Sequence, residues 1–123
     1  MIVGQVNADF EAAIELPVIG AQSKPREVEA VIDTGYNGFL TLPPELIAEL
    51  QLESIGVGQA TLANGKSETF ELFAATVVWD GLERQVDIDA AETTPLVGML
   101  LLEGYDLHVR VKVGEPVVIE RLG

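Results

Sequence analysis

The sequence contains no cysteine, which excludes disulfides and thiolate metal sites and suits a reducing compartment. No fully apolar run is longer than Met99–Leu102, far below the ~20 residues that carry a helix across a bilayer. No positively charged start leads into an apolar stretch, so no signal peptide is expected. Basic residues are scarce, with seven lysines and arginines against twenty acidic residues and a formal net charge of −13. That balance argues against nucleic acid, whose phosphates require a basic face. Together these absences predict a soluble, cytoplasmic protein with no nucleic-acid and no membrane partner. What is present is 123 residues, enough for a single domain over 1–123 with one core and no need of staples.

Most of the chain reads as strand. Val6, Ala8, Phe10, Ala12, Ile14 and Leu16 fall on every second residue, the period of a half-buried strand. Ala21–Arg26 reads as a loop, and Val28, Ala30 and Ile32 alternate again up to Asp33. Pro43-Pro44 opens a predicted short helix through Leu50, since proline is tolerated in a first helical turn. Asn64-Gly65 and Asp80-Gly81 each favour positive φ and mark two hairpins. A second short helix is predicted over Gly98–Glu103, stopped by Gly104. Leu107, Val109, Val111 and Val113 then alternate as a strand before a Gly114-Glu115-Pro116 turn and a final strand, Val117–Glu120. The fold class is therefore mainly β, a single domain with two short helices.

The segment with chemical content is Asp33-Thr34-Gly35, placed directly after the apolar strand end Val31-Ile32. A given tripeptide turns up by composition in roughly one chain in a hundred of this length, so placement matters more than the letters. A plainer reading is an Asp-containing turn whose carboxylate accepts local N–H groups. Three further features accompany the tripeptide. Tyr36-Asn37-Gly38-Phe39-Leu40-Thr41-Leu42-Pro43 forms a tight loop back into an apolar strand. The Asn64-Gly65 hairpin follows, with Leu62, Ala63, Asn64, Gly65 and Lys66 at its tip. Leu96-Val97-Gly98, after Pro95, then opens the second short helix.

In this order and spacing, from about Val28 to Val113, the features resemble the retropepsin-like (clan AA) aspartic proteases, above all their small cellular single-domain members in microbes. The resemblance implies a closed β-barrel of the retroviral protease type, in which the strand ending at Asp33 lies beside Leu96-Val97-Gly98. It also implies a catalytic role for Asp33, a framework role for Thr34 and Gly35, and a flap made of Leu62–Lys66. No cofactor and no metal are required by such an enzyme. The residue types suit those roles on physical grounds. Gly35 and Gly98 permit close backbone approach, and the Thr34 hydroxyl can both donate and accept. Two departures stand out: the hairpin tip is poorer in glycine than viral flaps, and Tyr36 takes a place where viral enzymes usually carry a small residue.

Amide hydrolysis by this route needs two carboxylates sharing a proton, because like charges ~3 Å apart cannot both ionise. The sequence holds no second Asp-Thr-Gly or Asp-Ser-Gly, so the partner carboxylate is expected from Asp33 of another copy in a homodimer, with a peptide or protein as substrate. Two copies together carry twice −13, or −26, and this repulsion is expected to relax as pH falls. A rival expectation is a non-catalytic peptide- or protein-binding or dimerisation module that keeps the fold without the chemistry. Asp87, Asp89 and Glu92 resemble the start of a calcium loop but lack its glycine, and read as a solvated edge. His108, Arg110 and Lys112 alternate and read as one solvated strand face. Trp79 reads as a hairpin anchor.

Overall fold

The computed structural model describes every residue, Met1–Gly123. In chain order its elements are β1 (Ile2–Val6), β2 (Ala12–Ile19), β3 (Pro25–Ile32), β4 (Leu40–Leu42), α1 (Pro44–Glu49), β5 (Glu53–Thr61), β6 (Ser67–Trp79), β7 (Leu82–Ala90), β8 (Leu96–Val97), α2 (Met99–Leu102), β9 (Tyr105–Val109) and β10 (Pro116–Arg121). All ten strands join one sheet in the order β5-β6-β7-β4-β8-β3-β2-β1-β10-β9. A further pairing, Val18 with Val77 and Ile19 with Thr76, brings β2 against β6 and closes the strands from β6 through β4 to β2 into a ring.

Alternation sets what fills that ring. Val28 and Ala30 on β3, Ala75, Val77 and Trp79 on β6, and Val86 and Ile88 on β7 point inward and are buried. β4 is buried at all three positions, Leu40, Thr41 and Leu42, because it sits between β7, to which it is parallel, and β8, to which it is antiparallel. A strand in that position has neither face in water, so its sequence is nearly continuous in apolar residues. Ile47 and Leu50 of the α1 segment and Leu101 and Leu102 of α2 complete the same core. No helix is long and apolar enough to cross a membrane.

Both helices and both hairpins lie where the sequence predicts them. Asp80 and Gly81 take positive φ of 52° and 79°, as the turn joining β6 to β7 requires. Two expectations are corrected. The alternation from Val6 to Leu16 is not one strand, because β1 ends at Val6 and a turn intervenes. In that turn the Asn7 side-chain oxygen accepts the N–H groups of Asp9 and Glu11, each at 3.0 Å, replacing the sheet ladder with a local partner. Phe10 there has φ 59° and stands exposed. At the other end β9 stops at Val109, and Val111 and Val113 are exposed in a loop. His108 alone of its trio lies on the strand, its ring nitrogen 2.9 Å from an Asp106 oxygen.

Candidate active site

β3 runs parallel to the two residues of β8, with Val31 opposite Leu96 and Ile32 opposite Val97. The Val31 N–H donates to the Pro95 carbonyl and the Asp33 N–H to that of Val97, both at 2.9 Å. Past Asp33 the chain turns off the sheet, and the following loop is pinned by the start of α2. Gly98 N–H donates to Phe39 O at 3.0 Å, Met99 N–H to Tyr36 O at 2.8 Å, and Leu100 N–H to Gly38 O at 3.1 Å. The predicted neighbours Asp33, Thr34 and Gly35 on one side and Leu96, Val97 and Gly98 on the other are therefore brought together.

Gly98 explains how close that approach is. A side chain there would collide with the Gly38 carbonyl oxygen and stand 2.6 Å from Cδ2 of Tyr36. Gly35 keeps φ outside the left-handed region, and a Cβ there would lie 3.3 Å from the Asp33 carboxylate. Its missing side chain thus leaves room beside the carboxylate, while the turn itself needs no unusual backbone.

Asp33 is half-buried, with Thr34 and Gly35 exposed next to it. Its Oδ1 accepts the Gly35 N–H at 2.9 Å, and its carbonyl accepts the Tyr36 N–H at 3.2 Å. The local acceptor role of an Asp turn is thus present, and Oδ2 takes no hydrogen bond from within the chain. One carboxylate, held by its backbone and open on one oxygen, can take a proton or give one. It has no second carboxylate bonded to it. Met99 and Leu100, at the start of the helix that pins its loop, expose apolar side chains.

The predicted flap is the end of a ribbon. β7 pairs with β6 only from Leu72 onward, so Ser67–Glu71 of β6 are held by β5 alone. At the tip Leu62 N–H donates to Lys66 O at 2.7 Å, and the Asn64 side chain accepts the Lys66 N–H at 3.0 Å. Leu62, Ala63, Asn64, Gly65 and Lys66 are all exposed. No hydrogen bond joins them to the Asp33 loop.

Two contacts escaped the sequence reading. The Tyr36 hydroxyl donates to Asp89 Oδ2 at 2.5 Å, so Asp89 belongs to the site's surroundings and not to a solvated edge. Burial, then the Asp89 carboxylate, hold the Tyr36 phenol above its ordinary range. The Arg84 guanidinium lies 5.5 Å from the Phe39 ring centroid and reaches the carbonyls of Leu100 and Leu101 at 3.5 and 3.4 Å. The bulk of Tyr36 after Gly35 was the one signal available for the first contact. Nothing in the sequence announces the second.

No protein-family model and no curated protein matches the sequence. Among solved structures, the EIAV protease complexed with the inhibitor HBY-793 superposes with a TM-score of 0.60 at 13% identity, covering 79% of this chain and 89% of that one. A retropepsin-like aspartic protease from Rickettsia conorii superposes with a TM-score of 0.65 at 16% identity, covering 98% of this chain and 89% of that one. The chain has the retropepsin fold: mainly β, one domain, two short helices.

Proposed function

We propose that the protein is an aspartic endopeptidase that works as a homodimer, Asp33 of each copy supplying half of the catalytic pair. The observation that carries this reading is the state of Asp33. It ends the strand pinned to Val97, with Thr34 and Gly35 exposed beside it and one carboxylate oxygen unbonded. That oxygen is open to solvent and not buried without a partner, so a second carboxylate or an attacking water can reach it. The retropepsin fold raises the prior, and the intact Asp-Thr-Gly supports chemistry over mere scaffolding.

In the proposed reaction the ionised member of the pair takes a proton from water as that water attacks the scissile carbonyl. The protonated member gives its proton to the carbonyl oxygen, forming a tetrahedral diol. Collapse of the diol, with proton transfer to the amide nitrogen, breaks the C–N bond. The pair titrates as a unit, so its pH dependence belongs to both carboxylates together. The β5–β6 ribbon would close over an extended peptide and exclude water.

The test is Asp33→Asn. It should lower peptide hydrolysis by roughly 10³-fold or more, as expected for loss of a positioned acid–base group, while circular dichroism and thermal unfolding stay close to those of the parent. A compound mimicking the tetrahedral intermediate should bind the parent and not the variant. Residual cleavage by a clean variant sample overturns the assignment. Absence of both cleavage and binding in a dimeric parent supports the non-catalytic module instead.

A further inference from the structure

Register carries a row of residues sideways across the sheet, from the strand that ends at Asp33 to the β5–β6 ribbon. Val31 on β3 lies opposite Leu96 on β8, Leu96 opposite Thr41 on β4, and Thr41 opposite Asp89 on β7. Asp89 in turn lies opposite Leu72 on β6. Leu72 is the residue at which β6 loses β7 and continues toward the tip with β5 alone. Asp89 therefore sits at the root of the ribbon, where a bending motion of the ribbon would pivot.

Tyr36 reaches that root from the catalytic loop. Its backbone is tied on both sides, N–H to Asp33 O and carbonyl to the Met99 N–H. Its ring lies across Gly38 and Gly98, in space that a side chain at either glycine would occupy. Its hydroxyl closes the link to Asp89 at 2.5 Å. Thr41, the one buried polar side chain in the chain, lies opposite Asp89 on the neighbouring strand. A phenol is a donor at ordinary pH, and burial with the Asp89 charge extends that state to higher pH. A hydrogen bond to a charged acceptor is among the stronger ones available to a side chain.

We propose that Tyr36 is a positioning residue whose hydrogen bond to Asp89 holds the Asp33 loop and the root of the β5–β6 ribbon in one arrangement. The ribbon cannot then bend at its root without straining the loop that carries the carboxylate. This rests on the reading of Asp33 as catalytic and of the ribbon as the cover over substrate, and it assigns the coupling between them to a named pair of side chains.

The experiment compares the parent with Tyr36→Phe, which keeps the ring and removes the donor, and with Asp89→Asn, which keeps an acceptor. Amide hydrogen exchange is followed by NMR on each, and kcat and KM are measured on a peptide that the parent cleaves. In Tyr36→Phe, exchange should accelerate by roughly tenfold or more, the scale set by loss of a charge-assisted hydrogen bond. It should do so both at Gly35–Tyr36 and at Glu71–Phe73, with the β2–β3 amides unchanged. Asp89→Asn should show the same pattern at smaller amplitude. kcat/KM should fall with the same ranking, Tyr36→Phe below Asp89→Asn below parent. Acceleration confined to one of the two regions, or spread evenly over the molecule, overturns the coupling. Unchanged kinetics in an active protein overturns it as well. A parent with no peptidase activity sinks the functional reading alone, and the exchange pattern still decides whether Tyr36 joins loop to ribbon.

Discussion

Two regions of this chain are built on opposite plans. The Asp33 loop is crossed by a second segment that hydrogen-bonds it at Asp33, Tyr36, Gly38 and Phe39. The ribbon beyond Leu72 has two strands, no third neighbour, and a tip whose hydrogen bonds close only on itself. Stability is local, and segments with few buried contacts open at a fraction of the global free energy. A group that must stand within tenths of an ångström of a reacting atom belongs on the first plan, and a cover that must let substrate in and out belongs on the second.

The same chemical change should sort the two regions. Gly98→Ala inserts a methyl against the Gly38 carbonyl and the Tyr36 ring, where overpacking costs about 1–3 kcal/mol or more. A lower urea midpoint, with activity falling further than stability, is the expected outcome. A fully stable Gly98→Ala would mean that the pinned region yields more easily than its contacts imply.

Beside the pinned loop lie the exposed Thr34, Gly35, Met99 and Leu100, the surface on which the proposed dimer would close. Two copies at twice −13, or −26, repel. Lowering the pH from about 7 to about 5 in low salt should therefore tighten association by roughly tenfold as carboxylates protonate. Sedimentation equilibrium at both pH values measures this. Equal association at the two would show that charge does not govern the contact.

The hydrogen bond from the Asp33 loop to Asp89, at the root of the ribbon, has its own signature in alkali. The folded chain favours the neutral Tyr36 phenol, whereas an unfolded tyrosine ionises near 10.0. This contribution to stability is complete below that pH and is lost above it, as the unfolded state gives up a proton that the folded state keeps. Urea midpoints should fall between about pH 9 and about pH 11, and fall less in Tyr36→Phe. Identical alkaline slopes in the two proteins would remove Tyr36 as a cause.

The smallest effect is expected at the ribbon tip. Gly65 has φ +82° and nothing within 4 Å of a would-be Cβ. Alanine there costs only its backbone preference, on the order of 1 kcal/mol. Because the tip stands apart from the core, the global unfolding midpoint should barely move while tip amides exchange faster. A midpoint shift as large as that of Gly98→Ala would erase the contrast.

How far the sequence foretells this depends on the range of the force involved. Asn64-Gly65 and Asp80-Gly81 are legible because turn conformation is decided within two residues. The end of β3 just before Asp33 and the start of α1 at Pro44 are legible for the same reason. The turn at Asn7 is hidden because Ala8 and Phe10 continue an apolar alternation through residues that are not in a strand. At Val109 the alternation again outlasts the strand, since Val111 and Val113 keep the period but have no core to face. The Tyr36–Asp89 bond spans 53 residues and depends on β4 lying parallel to β7, a register no local period encodes.

The pairing of β3 with β8 also bears on how the protein is made. Asp33 leaves a ribosome before Pro95 and Val97, whose carbonyls accept the N–H groups of Val31 and Asp33, have been translated. Contacts so distant along the chain carry a large loop-closure cost and cannot form until both segments exist. A nascent chain therefore displays the letters Asp-Thr-Gly without the loop that gives them a fixed shape. The geometry proposed for hydrolysis comes into being only once the segment carrying Pro95, Val97 and Gly98 has been added.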